Sequence, residues 1–196
     1  MPKLTRPTAL LGGLTLLAAG LLASASAASA DATGGTTTLT ITGAYAGSAA
    51  TAGVVAAATD GASNSYNTGS GSVSFSFPVT GGDANVNNFT GSLQHQGSLV
   101  LVDYKTARSV RITDLQLDFI DNTVTGRLPG QTASTPLFDL DGSGSSSSTA
   151  TAQSFSATAL DWDSAGAAAV DQALRTSFVV AGATVGSFQT SYTLSS

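Results

Sequence analysis

Few side chains in the sequence could take part in chemistry. There is a single histidine, His95, and no cysteine or glutamate, while the four tyrosines are Tyr45, Tyr66, Tyr104 and Tyr192. A Ser-His-Asp triad needs a positioned serine, and no G-x-S-x-G nucleophile elbow marks one. A zinc site needs about three or four N, S or O ligands, which one histidine without cysteine does not readily supply. We therefore predict that the protein is not an enzyme.

One tyrosine and one histidine can still form a ligand site. A tyrosine phenolate is an accepted axial ligand of haem iron, and a nearby imidazole can hydrogen-bond the phenolic oxygen and steady its deprotonated form. Composition does not show whether any tyrosine meets His95. The alternative is that His95 is a partly exposed strand residue between Gln94 and Gln96.

An acidic segment, DLDGSG at residues 139–144, partly resembles a calcium-binding loop. An EF-hand loop has its glycine at the sixth position and a glutamate at the twelfth. Here the first glycine falls fourth and the chain has no glutamate. The segment is better interpreted as a strand that ends in an Asp-Gly turn.

The N-terminal residues 1–30 have the pattern of a secretory signal peptide. Lys3 and Arg6 precede an apolar stretch from Ala9 to Leu22, and Ala28-Ser29-Ala30 offers a small-residue cleavage site. The apolar stretch is shorter than the roughly 20 residues of a transmembrane helix. We predict a protein that is secreted or held at the cell wall, with residues 31–196 as a single domain and no membrane anchor in the chain.

The charge of that domain limits its partners. Without Lys3 and Arg6, five basic residues face twelve aspartates, which gives a net charge of −7. An acidic chain without a basic cluster argues against nucleic acid as a partner. Because there is no cysteine, the exported domain must depend on a core rather than on disulfides.

Short stretches of alternating polarity predict a β-rich fold. They are followed by turn residues such as Gly, Asn and Asp, and they number about eight or nine. The stretches are residues 38–42, 72–77, 99–104, 110–119, 124–128, 137–140, 155–162 and 188–194. We expect an antiparallel β-sandwich of about 8–11 strands, or a related barrel, with one or two short helices.

Three details refine this expectation. Val110 and Ile112 alternate in one phase and Leu115 and Leu117 in the other, which predicts a β-bulge between them. Helical spacing after Asp163 predicts a short helix near the C-terminus. Residues 43–60 are rich in alanine and glycine, and their pattern leaves helix and strand both open.

Three segments, taken in order, resemble the HtaA-type domain of bacterial cell-surface haem-uptake proteins. The first is GSVSFSFPVTGGDANVNNFTGSLQHQGSLVLVDYKTARSVRITDLQLDF, at residues 71–119. The second, residues 135–174, resembles that family's Leu-Asp strand, hairpin and helix start. The third is FVVAGATVGSFQTSYTL, at residues 178–194. The resemblance covers most of the predicted domain and rests on the order and patterning of these segments.

The resemblance implies a sandwich fold and haem as the ligand, with the iron held by a tyrosine of the opening segment. A histidine that follows the central hairpin hydrogen-bonds this tyrosine in the family, and His95 matches its position. Tyr45 lies nearest the place of the iron ligand, and Tyr66 is a second candidate. The implied partners are haem or a haem-carrying surface protein, and the oligomeric state is left open.

A second hypothesis follows from the opening segment of the domain. The family has a tryptophan and other aromatics around its tyrosine there, whereas residues 41–66 contain neither Trp nor Phe. A haem pocket is lined mainly by apolar and aromatic side chains. The alternative is therefore a non-enzymatic, secreted or cell-wall β-sandwich that has lost haem and acts structurally or by binding a protein.

Overall fold

The computed structural model describes residues 30–196 of the chain, so the predicted signal peptide falls almost entirely outside the described residues. Eleven strands and two helices follow one another along this part. The strands are β1 Ala32–Ile41, β2 Val54–Thr59, β3 Ser63–Tyr66, β4 Val73–Gly82, β5 Ser92–His95, β6 Ser98–Asp103, β7 Arg108–Asp118, β8 Thr123–Arg127, β9 Thr135–Ser148, β10 Ala152–Trp162 and β11 Thr184–Leu194. The helices are α1 Gly43–Ala52 and α2 Ser164–Leu174.

The strands form a closed barrel and not a sandwich, so the second of the two expected architectures is the one present. Eight of them pair in the order β7-β5-β4-β1-β11-β10-β9-β8, and β8 pairs again with β7 to close the ring. All of these pairs are antiparallel. The strand number and the β-rich class were predicted correctly. Alternating patterns show which side of a strand is buried, but they do not show whether the two ends of a sheet meet.

Three strands lie outside the ring and enclose space beside it. β6 pairs with the first half of β7, and β2 pairs with β6, so that these strands form a short second sheet. β3 pairs along β4. The predicted bulge in β7 is confirmed at Asp114, where φ is 51° and the register with β8 shifts between Thr113 and Gln116. The bulge lets β7 pair with β6 in its first half and with β5 and β8 in its second half.

The two helices begin with side-chain caps. Asp163 accepts hydrogen bonds from the backbone N–H groups of Ala165 and Gly166 at the start of α2, which confirms the predicted C-terminal helix. Thr42 accepts one from the N–H of Tyr45 at the start of α1. α1 ends at Ala52, and the next residue, Gly53, has a φ of 105° that glycine adopts easily and that lets the chain turn at once into β2. The ambiguous residues 43–60 therefore contain a helix followed by a strand.

Within residues 30–196, neither helix has the length and apolar character needed to cross a membrane.

Candidate ligand-binding cavity

A cavity of about 410 Å³ lies between α1, the small second sheet and the neighbouring barrel strands. This volume is within the range of roughly 300–1,000 Å³ that is usual for small-molecule sites. The cavity opens to solvent, since two of its lining residues, Val55 and Tyr66, are 45% and 64% exposed. The part of the chain that the structure describes places no charged side chain in its lining.

Small residues of α1 form one wall of the cavity. Gly43, Ala46, Gly47 and Ala50 lie at the i, i+3, i+4, i+7 spacing of one helix face. Gly43 also permits a close approach of the chain, because a Cβ there would lie 2.1 Å from the carbonyl oxygen of Ser70. The alanine- and glycine-rich composition of the opening segment thus leaves room beside the helix.

Aromatic side chains from distant parts of the sequence form much of the remaining wall. Phe75 comes from β4, Phe138 from β9, Trp162 from β10, and Phe178 from the segment before β11. The opening segment alone was expected to line a pocket poorly. The aromatic residues of the wall are far from Tyr45 in sequence and meet it only after the barrel closes, so the opening segment alone does not reveal them.

Tyr45 is the polar group at the centre of this arrangement. It is half-buried on the first turn of α1, and its hydroxyl oxygen accepts a hydrogen bond from the indole N–H of Trp162 at 2.7 Å. Its ring packs against that of Phe178, with 5.4 Å between the centroids. The hydroxyl is therefore held at a defined place in the wall of an apolar cavity.

Burial dominates the ionisation of Tyr45. It raises the pKa of the phenol above its usual value, because the phenolate would lose solvation in this setting. The hydrogen bond from Trp162 lowers the pKa, since it favours the charged form, whereas the negative charge of Asp171 raises it. In the ligand-free protein the net effect keeps Tyr45 protonated at neutral pH.

His95 lies in the barrel wall, outside the cavity lining, and both of its ring nitrogens are hydrogen-bonded. Because the carbonyl oxygen of Leu115 can only accept, the Nδ1–H donates to it at 3.2 Å. Nε2 then accepts from the hydroxyl of Thr37 at 2.6 Å, and Thr37 accepts in turn from Thr190 at 2.8 Å. Burial lowers the pKa of His95 to about 4, although the Leu115 bond opposes this. The imidazole is therefore neutral at pH 7.

The structure therefore does not join Tyr45 and His95 by a hydrogen bond. Tyr66, the second tyrosine candidate, lies at the mouth of the cavity and is largely exposed. Tyr192 is in the buried core, where its hydroxyl donates to the Oε1 of Gln153 at 2.6 Å. Sequence reasoning missed Trp162. The signal that could have indicated it is its position as the single tryptophan of the chain, at the end of a strand.

The aspartates do not assemble a metal site in the described part of the chain, where no group of three or more acidic or histidine side chains could hold an ion. Asp139 and Asp161 are paired across β9 and β10. Burial, followed by the charges of Asp163, Asp161 and Asp141, raises the pKa of Asp139. Residues 139–144 lie inside β9, which continues to Ser148, so the expectation of a strand that ends in an Asp-Gly turn there is wrong. Gly142, with φ of 76°, instead lies where the register between β9 and β10 shifts.

Comparison with known proteins identifies the fold. No family model and no curated protein matches the chain. Among solved structures, the C-terminal domain of HtaA from Corynebacterium glutamicum has a TM-score of 0.61 and 16% identity, over 85% of this chain and 100% of that one. A domain-swapped dimer of a histidine variant of the same domain has a TM-score of 0.53 and 21% identity, over 76% of this chain and 87% of that one.

The fold and the cavity define a β-barrel domain with an apolar cavity beside its first helix. Its architecture is that of the HtaA-type domain, and the low identity makes this chain a divergent example of that architecture. The resemblance found in the sequence is thus confirmed at the level of the fold.

Proposed function

We propose that the protein is an exported haem-binding protein that holds haem in this cavity, with the phenolic oxygen of Tyr45 as the iron ligand. The observation that carries the proposal is the placement of the Tyr45 hydroxyl in the wall of an apolar, aromatic cavity. Iron bound by a phenolate is the chemistry that haem would supply here.

The properties of the cavity support haem as the ligand. Haem is a flat apolar ring with two carboxylates, and the aromatic lining suits the ring. Because the described lining has no charged side chain, the carboxylates would point to the open mouth near Val55 and Tyr66, where water solvates them. The resemblance in sequence independently implies a tyrosine ligand from the opening segment, where α1 holds Tyr45.

We place this activity outside the cytoplasm, in the relay of haem to or from a haem-carrying surface protein. The signal-peptide pattern of residues 1–30 supports export. A cavity that opens to solvent and offers one oxygen ligand allows the bound group to be handed on. The acidic net charge of the exported part argues against nucleic acid as the partner.

The first experiment is a titration of the purified protein with hemin, followed by the Soret absorbance, beside a matched titration with iron-free protoporphyrin. We expect saturable binding of hemin. Tyr45→Phe keeps the ring but removes the oxygen, so it should weaken hemin binding by more than about 100-fold, beyond the effect typical of removing a residue that only hydrogen-bonds a metal ligand. The same variant should bind iron-free protoporphyrin as the wild type does. Equal hemin affinity in Tyr45→Phe and wild type would reject Tyr45 as the ligand.

A second candidate is favoured by the uncharged lining, which would also suit a neutral apolar molecule. In that case protoporphyrin and hemin would bind alike, and Tyr45→Phe would change neither. Absence of binding by both would favour the alternative of a barrel that acts structurally or binds a protein.

A further inference from the structure

Trp162 occupies the position next to Tyr45 that the family resemblance assigns to a histidine. Its indole N–H lies 2.7 Å from the hydroxyl oxygen of Tyr45 and donates a hydrogen bond to it. His95, the single histidine, uses both ring nitrogens for Thr37 and Leu115. The family resemblance makes His95 the hydrogen-bond partner of the tyrosine ligand. In the structure Trp162 is that partner, and His95 bonds only within the barrel.

Trp162 is held firmly enough to fix the direction of its N–H group. The side chain is 4% exposed, and its ring lies 4.3 Å from that of Phe138. Its backbone is also fixed, because its N–H donates to the carbonyl of Ala183 and its own carbonyl accepts from Gly182. The donor is therefore part of the packed end of the barrel, while Tyr45 belongs to the helix that covers it.

The chemistry of an indole suits this role. Its N–H can donate a hydrogen bond but has no lone pair with which to accept a proton or bind iron. It therefore holds the oxygen of Tyr45 in place without competing for the metal. The oxygen keeps a lone pair for a ligand, because the bond from Trp162 occupies only one side of it.

We propose that Trp162 is the positioning residue of the iron ligand, and that its N–H orients the Tyr45 oxygen toward the haem. The inference rests on the proposed function. It differs from the resemblance in one testable respect, since it removes His95 from the site and replaces it with an indole from the end of β10.

Two substitutions of nearly equal size isolate the N–H group. Histidine and tryptophan share a five-membered ring, and Nε2 of histidine takes the place of the indole nitrogen, so Trp162→His can keep the donor. Trp162→Phe cannot. Because the other ring nitrogen of the introduced histidine can bind iron, the spectrum of Trp162→His with hemin must match that of wild type, whereas a spectrum typical of nitrogen-ligated haem would show that affinity was restored by ligation. Both variants have a smaller ring than the indole that packs on Phe138, so both should have lower thermal unfolding midpoints than wild type. The difference between them in hemin binding then reports the hydrogen bond.

We expect Trp162→Phe to bind hemin about 10- to 100-fold more weakly than wild type, the usual effect of removing a partner of a metal ligand. Its visible spectrum should also change, while Trp162→His should restore both affinity and spectrum toward those of wild type. If the Phe and His variants have the same affinity and spectrum, the inference fails although the proposed function stands. If wild type does not bind hemin, both fail.

A measurement on the ligand-free protein tests the contact itself. Trp162 is the only tryptophan of the chain, so intrinsic tryptophan fluorescence comes from this site alone. Tyr45→Phe removes the acceptor of its N–H, and we expect the emission maximum to move to shorter wavelength. Tyr66→Phe, at the cavity mouth, is the matched control and should leave the emission unchanged. An identical emission maximum in wild type and Tyr45→Phe would overturn the proposed contact.

Discussion

Tyr45 and His95 lie in two regions that differ in how completely the polar side chain is hydrogen-bonded by the protein. The Tyr45 hydroxyl has one strong partner, Trp162, and stands in the wall of an open cavity. His95 is inside a chain of hydrogen bonds that runs from Thr190 through Thr37 to the carbonyl of Leu115. The Tyr45 oxygen keeps a lone pair for a ligand, whereas both ring nitrogens of His95 are already hydrogen-bonded within the protein.

The difference shows that residue type alone does not define a site. A buried polar group whose hydrogen bonds are all made within the protein stabilises the fold and has no free donor or acceptor for a ligand. Thr37, Thr190 and His95 come from three strands of the barrel, so their bonds join β1, β11 and β5. A ligand site needs a polar group with an unused lone pair beside space. Among the two residues singled out from the sequence, Tyr45 meets this condition.

The largest effect should follow from His95→Ala, which tests whether the histidine serves stability. The change leaves the Leu115 carbonyl and the Thr37 hydroxyl without their partner, and each unsatisfied buried group costs about 1–3 kcal/mol. We expect the free energy of unfolding to fall by about 3 kcal/mol in urea denaturation. Hemin affinity should stay within about twofold of wild type, because His95 does not line the cavity. Even a tenfold loss would correspond to about 1.4 kcal/mol of binding free energy.

His95→Asn is the matched control, because its amide N–H can take the place of the Nδ1–H that donates to Leu115, while the shorter side chain leaves only the Thr37 hydroxyl without its partner. It should cost less stability than His95→Ala. A loss of hemin binding in either variant, with the fold intact, would return His95 to the ligand site and contradict the comparison.

The second effect is a dependence of stability on pH. Burial lowers the pKa of His95 to about 4, from an ordinary value of 6.5. Between these two pH values His95 binds a proton in the unfolded chain but not in the folded chain. The free energy of unfolding therefore falls as the pH drops from 6.5 to 4. From pH 7 to pH 5 this amounts to about 2 kcal/mol.

Urea denaturation of wild type and His95→Asn at both pH values checks this. The asparagine cannot titrate, so wild type should lose more stability on acidification than the variant. Comparing the two proteins removes contributions from aspartates with raised pKa values, such as Asp139 and Asp171. Equal losses would show that the imidazole is not held neutral in the barrel.

The smallest effect concerns the open space beside Tyr45. Ala46 lines the cavity from α1, whereas Ala44 of the same helix is exposed and outside the lining. Ala46→Phe should fill part of the space and weaken hemin binding about tenfold, which corresponds to about 1.4 kcal/mol. Ala44→Phe carries the same helix propensity and should leave binding unchanged. Similar affinities in the two variants would place the ligand elsewhere.

Much of the fold could be predicted from local patterns. Alternation located most strands, and the phase change at residues 112–115 located the bulge, because burial on one face imposes a period of two. Asp163 marked the start of α2, since its side chain can satisfy free N–H groups at a helix end. Strands β2 and β3 were not predicted, because most of their residues are exposed and carry no burial pattern.

The sequence by itself determined the β-rich class and the poor supply of catalytic groups, and its resemblance to the HtaA-type domain indicated Tyr45, with Tyr66 second, as the candidate ligand. Only the tertiary structure decided that the sheet closes into a barrel, that Phe138, Trp162 and Phe178 surround Tyr45, and that His95 is bonded elsewhere. The physical reason is that these contacts join residues far apart in the chain. Closure and hydrogen bonding between distant strands leave no periodic trace in the local sequence.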